Sequence, residues 1–470
     1  MKFSRNLCFL LTVILIIFGS GVYGVAADEM QTDTSVLQGS HSLDATEYLH
    51  GTSRLVSNTE AALLFEVNSQ TLLYGYNIDA PMYPSSFVKL MTLLIVLEEA
   101  DLDEVVTVRQ EVLNTVPGDA MSVYLSAGET MTIRDLLYCM MVGSGNDAAA
   151  VVADTVAGNQ VAFVNRMNEF ALELGCTGTK FMNVHGLHHD EQITTARDVA
   201  KILNRGLMLE EFRQIIGCSN YTVPANEVAG DRNLVTNNYL ISTQTMEIYR
   251  DWRVTGGRTG VTNSRTRCIA ATATSGNMEL ISIVMGCRST YEADGYTERI
   301  YGGFPETTAL LDLGFKGYKC IEIYQKDQVM RQHSVSGGES DVFLGTAESD
   351  FTVVPSAFTE SDLSYVYKDS FAGAYPVAPI EQGTPLSSLQ VWYGNICVAE
   401  TRLYAMNRVT LDGPVVIPSI EMKNGLAWWA WLFIILGILL FLAFSFILAL
   451  RYSKKFRRFV FARKRKSWVR

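Results

Sequence analysis

The chain has 470 residues, 48% of them hydrophobic and 19% charged, with a formal net charge of −11. That is room for two ordinary domains and more, and it is too apolar for disorder over most of its length. The charge is uneven. The last twenty residues hold ten Lys and Arg and no acid, two more precede an apolar run at the N-terminus, and the remaining 26 face 49 acids, a net of −23. So acidic a body excludes nucleic acid as a partner.

In chain order, the N-terminus reads as a secretory signal. Lys2 and Arg5 precede LCFLLTVILIIF, and small residues lead to VAA at 25–27, where cleavage is expected. Residues 28–44 are polar and aperiodic, a linker. AALLFEVNSQTLLYGYN from Ala61 reads as a strand pair around Asn68-Ser69. A helix is expected from near Ser85 to about Glu99, and helical patterns recur at IRDLLYCMMV, DAAAVVADTVAG and VAFVNRMNEFALELG. WRVTGGRTGVT, RCIAATATSG and MELISIVMGC read as three antiparallel strands, followed by a helix around 305–314. Strands at both ends and helices between imply one sheet built from both ends, an α+β domain over 45–316. Short strand-like runs (CIEIYQ, VFLGTA, FTVVP, LSYVYKD, LQVWYG, NICVAET, RLYAM) then suggest an all-β domain over 317–418.

Residues 426–450 carry no charge and are long enough to cross a bilayer, with Trp428, Trp429 and Trp431 at one end and the basic tail 451–470 at the other. The expectation is a single-pass protein of the cell membrane with its bulk outside the cytoplasm. The eight cysteines are scattered, one of them in the signal, and without CxxC they read as buried thiols rather than zinc ligands.

Three short motifs carry chemistry. In YPSSFVKLMT, Ser86 and Lys89 lie one helical turn apart on one face. A free serine is a poor nucleophile, and a lysine desolvated against an apolar helix can serve as its base. The bland alternative is a snorkelling lysine. In SGND, Ser144 offers a hydroxyl for proton relay and Asn146 an amide for orientation, at a Gly-marked break between helices. A second SGN, at 275–277, lies between strand-like runs and reads as a hairpin turn. In GGRTG, the paired glycines permit close backbone approach, Arg258 and Thr259 suit a carboxylate, and the strand can accept a peptide edge to edge. The HGLHHD run at 185–190 lacks metal-ligand spacing.

S-x-x-K, then S-x-N, then [K/R]-T-G is the ordered signature of penicillin-binding proteins and class A β-lactamases. Over roughly 55–415, including LLYCMMVGSGNDAAAVVADTVAG, NVHGLHHDEQITTARD and ALLDLGFKGYK, the chain resembles the low-molecular-mass penicillin-binding proteins that are D-alanyl-D-alanine carboxypeptidases of the serine peptidase S11 type. The resemblance implies a β-lactamase/transpeptidase-like catalytic fold, then a small β domain and a transmembrane helix. It implies peptidoglycan stem peptides ending in D-Ala-D-Ala as substrate, β-lactams as acylating inhibitors, and neither cofactor nor metal.

It makes Ser86 the nucleophile, Lys89 its base, Ser144 the proton shuttle and Asn146 the orienting amide. The N–H groups of Ser86 and Val261, after Gly260, form the oxyanion hole, worth about 3–4 kcal/mol per donor in other hydrolases. Arg258 and Thr259 hold the terminal carboxylate. The family usually has lysine where this chain has Arg258, and alanine and threonine are common where it has Ser85 and Val88. Among alternatives, endopeptidase action uses the same machinery. A class A β-lactamase needs an E-x-x-L-N that is missing between 144 and 258. A β-lactam sensor needs a cytoplasmic output domain, and a silent scaffold has no use for the complete motif set.

Overall fold

The structure is a computed structural model that describes Leu43, Val56 and residues 58–412, except 245, 263–264, 294–297, 372 and 395. The expected signal, the transmembrane segment and the basic tail lie outside the described residues, as does nearly all of the linker. Among the described residues no helix is long and apolar enough to cross a membrane.

A hairpin opens the chain, β1 (Ala61–Glu66) and β2 (Thr71–Tyr76). Helix α1 (Val88–Glu99) follows. The short pair β3 (Val105–Thr107) and β4 (Thr130–Thr132) brackets the one-turn α2 (Gln110–Leu113). Then come α3 (Ile133–Met141), α4 (Asn146–Ala157), α5 (Gln160–Glu173), α6 (Ala196–Gly206) and α7 (Glu210–Gly217). The hairpin β5 (Asn220–Val223) and β6 (Arg232–Val235) leads to three long strands, β7 (Val254–Val261), β8 (Thr266–Ser275) and β9 (Met278–Arg288). Two short strands, β10 (Thr290–Tyr291) and β11 (Glu298–Ile300), precede α8 (Phe304–Gly317).

The main sheet has the antiparallel order β2-β1-β9-β8-β7, so the first two strands join the last three as the segment order implied. Its faces alternate as a period of two requires. Leu63, Phe65, Ile281, Ile283 and Met285 enter the core shared with α1 and α3–α7, whereas Ala62, Leu64, Leu280 and Val284 pack with Phe304, Leu310 and Leu311 of α8. Burial on both faces is why these strands read as nearly continuous apolar runs.

Side-chain caps set three helix starts. The Thr132, Asn159 and Thr195 side chains accept from the N–H of Asp135, Ala162 and Asp198. The second SGN is the turn between β8 and β9, with Gly276 at φ +57°.

Beyond α8, β12 (Tyr318–Tyr324) pairs with β15 (Asp350–Pro355). A five-stranded sheet is built from β13 (Val329–His333), β14 (Val342–Thr346), β16 (Leu363–Asp369), β17 (Pro385–Tyr393) and β18 (Ile396–Ala405), in the order β13-β14-β18-β17-β16. NICVAET and RLYAM, read as separate runs, are one strand, because no turn residue divides them. Residues 334–341, 377–380 and 409–412 form a separate compact unit joined by the bridges Ser336–Val377, Gly338–Leu411 and Ile380–Val409.

Gly257 is the tightest point of the main sheet. Its φ is +142°, and a Cβ there would collide with Ala270 O across the β7–β8 ladder. Gly257→Ala is expected to cost about 2–4 kcal/mol, as strain and displaced strand pairing add. Thermal unfolding measures this, and an unchanged midpoint would refute it.

Candidate active site

Ser86 lies in a single 3-10 turn, Ser85–Phe87, that feeds α1. This differs from the expected regular helix, yet it serves the same end, because residues i and i+3 eclipse in a 3-10 turn. Pro84 precedes the turn, and Ser85 is held at φ +47°, a left-handed value that costs a non-glycine residue energy. The Ser85 hydroxyl donates to Val261 O at 2.7 Å, tying the turn to β7. Ser86 is half-buried, and its Oγ makes no hydrogen bond among the described residues.

From Val88 to Val96, α1 is buried all round, so Lys89 has no surface to snorkel to and is fully buried. Its Nζ donates to Asn146 Oδ1 at 2.6 Å and to His185 O at 2.5 Å, and it forms no ion pair among the described residues. Burial holds this amine well below the ordinary lysine range, helped by the positive charge of Arg258 and opposed by Asp147. A neutral amine has two N–H groups and one lone pair. In that form both donors go to Asn146 and His185, and the lone pair is left able to take a proton.

Ser144 and Asn146 sit at the break between α3 and α4. Ser144 adopts φ +59° and is buried. Asn146 begins α4, donates its N–H to Met121 O at 2.9 Å and presents Oδ1 to Lys89. The next residue, Asp147, was not singled out from sequence, and it anchors the facing loop. Its carboxylate accepts from Ser122 Oγ (2.5 Å), Val123 N (3.1 Å) and Leu125 N (3.0 Å). The fully buried Glu129 braces the same loop through Arg232, which also donates to Val123 O.

GGRTG forms the open edge of the main sheet on β7. Thr262 N donates to Thr266 O, and Val261 lies opposite Arg267. By antiparallel alternation, Thr259 and Val261 therefore turn their backbone groups away from β8, toward the free edge. A Cβ on Gly260 would stand 3.1 Å from Ser86 N and 2.9 Å from Ser85 Oγ, so the strand passes this close to the turn only as glycine. The Thr259 hydroxyl donates to Asn237 Oδ1 at 2.9 Å.

Arg258 points the other way, into the interior, and is 2% exposed. Its Nη1 donates to Met141 O at 2.6 Å and its Nη2 to Ser144 Oγ, while Nε is buried without a partner. It has no acidic counterion among the described residues, and burial lowers it to about 10.

The HGLHHD loop, which lacks metal-ligand spacing, also borders a narrow opening beside the 3-10 turn. Tyr83, Ser85, His188, Gln192, Val261 and Thr262 face a narrow opening there, with Tyr83 and His188 edge to face at 4.7 Å. His185 contributes its carbonyl to Lys89, and burial and Lys89 hold its ring down to about 3. A Cβ on Gly186 would collide with Ser85 O, which fixes this loop against the 3-10 turn. Among the described residues no His, Cys, Asp and Glu cluster has metal-binding geometry. A larger surface cavity, about 310 Å³, opens among Leu97, Asp101, Arg134 and Glu211 and holds none of the candidate residues.

Ser86, Lys89, Ser144, Asn146 and Arg258 thus meet between α1, the α3–α4 break and the sheet edge, an arrangement suited to serine acyl transfer. A family model described as D-alanyl-D-alanine carboxypeptidase, peptidase S11, matches residues 51–289, just over half the chain. The C-terminal domain of penicillin-binding protein 5 matches residues 318–411. The chain belongs to the S11 family of D-alanyl-D-alanine carboxypeptidases, with a transpeptidase-like α+β catalytic domain followed by a β domain.

It is 27% identical to the D-alanyl-D-alanine carboxypeptidase DacF of Bacillus subtilis over 75% of this chain and 86% of that protein. With DacC of Escherichia coli the identity is 28%, over 76% of this chain and 85% of that one. The crystal structure of penicillin binding protein 5 from Haemophilus influenzae superimposes with a TM-score of 0.61 at 26% identity, over 77% of this chain and all of that one.

The state of Lys89 fixes the acid side of any rate profile. A Lys89 amine acting as base would make kcat/KM fall as pH drops through its lowered value, with His185, held down to about 3, adding nothing before then. Lys89→Arg, which cannot give up its proton, is expected to lose about 10²–10⁴-fold at every pH. Rates of acylation by penicillin across pH check both statements.

Proposed function

We propose that the chain acts as a serine-type D-Ala-D-Ala carboxypeptidase on peptidoglycan stem peptides through an acyl-enzyme on Ser86, and that β-lactams acylate the same serine. The observation that supports the roles is the fully buried Lys89 amine, which donates to Asn146 Oδ1 and His185 O, forms no ion pair among the described residues and is pushed by burial toward its neutral form. In the first step the Ser86 O–H passes its proton to Lys89 while Oγ bonds to the carbonyl carbon between the two terminal D-alanines. The oxyanion draws on the N–H groups of Ser86 and Val261, the latter on the open edge of β7. The proton returns by way of Ser144 to the departing amine as the C–N bond breaks. Water then attacks the ester and regenerates the Ser86 hydroxyl.

Arg258, a buried cation without a counterion among the described residues, supplies the field that favours a substrate carboxylate, and Thr259 and Gly260 on the edge supply the contact surface. A forked grip on the carboxylate would require the guanidinium to leave Met141 and Ser144. We further infer an exported catalytic domain anchored by residues 426–450, supported by their uncharged run and the ten basic residues that follow.

Ser86→Ala is expected to abolish both D-alanine release and penicillin labelling, and labelling that persists would remove Ser86 as nucleophile. Thr259→Val is expected to lower kcat/KM about tenfold for peptides ending in a free carboxylate and far less for amidated ones, since the hydroxyl that donates to Asn237 Oδ1 would turn to the carboxylate, exchanging a neutral acceptor for a charged one. Equal losses on the two peptides would contradict the carboxylate assignment.

A further inference from the structure

The proposed oxyanion contact fixes the direction in which a substrate lies on β7. The scissile carbonyl oxygen meets the Val261 N–H and the terminal carboxylate lies toward Thr259, so the peptide runs antiparallel to the strand. The terminal D-alanine is then opposite Gly260, the penultimate one opposite Val261, and the residue before them opposite Thr262. Opposed residues of an antiparallel pair place L side chains on one face. Arg258, Gly260 and Thr262 share the face that meets the 3-10 turn, since a Cβ on Gly260 would stand 2.9 Å from Ser85 Oγ. An L-residue opposite Thr262 therefore directs its side chain past the turn, into the narrow opening that Thr262 and Ser85 line together.

The walls of that opening have a definite chemistry. Tyr83 and His188 present two rings edge to face, 4.7 Å apart, and Tyr83 is 43% exposed. His188 carries Asp190 on its Nε2 at 3.1 Å, and that carboxylate is 93% exposed. The next acid, Glu191, is already paired with Lys180. No lysine or arginine is among the lining residues. Their other polar groups are engaged, Gln192 Oε1 by the N–H of Met182, the Thr262 hydroxyl by Thr266 and the Ser85 hydroxyl by Val261 O. What remains is a pair of rings with one carboxylate beside them, which attracts a cation and repels an anion.

Both walls are set before a substrate arrives. Pro84 follows Tyr83 and leads into the strained turn, and a Cβ on Gly186 would collide with Ser85 O, so the His188 loop packs directly on that turn. We propose that this opening is the subsite for the side chain of the residue preceding the two D-alanines, and that it selects an unbranched cationic side chain, an amine such as that of lysine, through the Tyr83 and His188 rings and the Asp190 carboxylate. The inference rests on the carboxypeptidase reading of the site and names the substrate class within it. A neutral side chain of the same length gains only burial there, and a carboxylate meets Asp190.

The test follows D-alanine release by the full-length protein from N-acetyl-X-D-Ala-D-Ala, where X is lysine, Nε-acetyl-lysine, norleucine or glutamate, at low and at high salt. Wild type is expected to favour lysine over Nε-acetyl-lysine and norleucine by about five- to tenfold in kcat/KM at low salt, by less at high salt, and to use glutamate worst. Asp190→Asn and Tyr83→Leu are each expected to narrow the lysine preference about two- to fivefold, and the double variant to remove it. Penicillin labelling counts the competent sites in each preparation, so a folding loss is not read as a loss of specificity.

Equal kcat/KM for lysine and Nε-acetyl-lysine in wild type would overturn the proposal. So would a preference for glutamate, or a lysine preference that the double variant keeps in full. A wild type that neither reacts with penicillin nor releases D-alanine from any of the four peptides would instead sink the carboxypeptidase reading, and the subsite with it.

Discussion

Two nitrogenous side chains buried within electrostatic reach of each other, neither ion-paired to an acid among the described residues, are the constraint around which this catalytic domain is arranged. Lys89 lies on a helix that is apolar on every side, and Arg258 points inward from the edge of a sheet. An interior that excludes water makes a charged amine cost several kcal/mol, and a second positive charge nearby adds to that. Burial lowers both groups, and the lysine, which starts lower and also feels the guanidinium's charge, is driven toward its neutral form first. The outcome is an amine biased toward its neutral form beside a cation, and neither bias needs a bound ligand to exist.

Such a pair has to be held by groups that do not neutralise it. Carbonyls and amides do this well, since they accept hydrogen bonds without carrying charge. Met141 O, His185 O and Asn146 Oδ1 are those acceptors, and they come from three separate segments. The segments approach closely only because glycines stand at the crossings. Gly186 admits the His185 loop to the 3-10 turn, and Gly260 admits β7 to the same turn. Asp147 and Glu129 direct their hydrogen bonds to the 121–129 loop, bracing the α3–α4 break without an ion pair to Lys89 among the described residues.

What was legible in the sequence follows from what has a local pattern. The strands at both ends of the catalytic domain were readable because burial on two faces leaves long apolar runs, and SGN at 275–277 was separable from SGND by its flanking strands. The motif residues Ser86, Lys89, Ser144, Asn146 and Arg258 do converge. Their contacts were less legible. A backbone carbonyl such as His185 O has no residue type to signal it, and a helix pattern does not distinguish a 3-10 first turn from a regular one. Asp147 stood inside a quoted motif, yet its partners are backbone N–H groups of a loop that sequence spacing alone does not bring near. Arg258 was read as a carboxylate grip from its place in GGRTG; only the structure shows that it is buried, with its donors turned to Met141 O and Ser144 Oγ.

The free edge of β7 poses a last problem, since an unpaired strand edge invites any extended chain. Here the edge is already partly engaged. Ser85 donates to Val261 O, and Thr259 spends its hydroxyl on Asn237. Of the backbone groups at Val261, the carbonyl is therefore occupied while the N–H has no such cap. A peptide that comes to this edge finds a donor at Val261 rather than a full ladder of donors and acceptors. At Val261, with its carbonyl engaged and its N–H turned outward, the edge meets an oxygen better than it meets a strand, and under the carboxypeptidase reading an acyl carbonyl whose oxygen gains charge during attack is the oxygen best matched to it. Ser85, where alanine is common in the family, thus occupies one acceptor of the sheet margin and leaves the N–H beside it to an incoming oxygen.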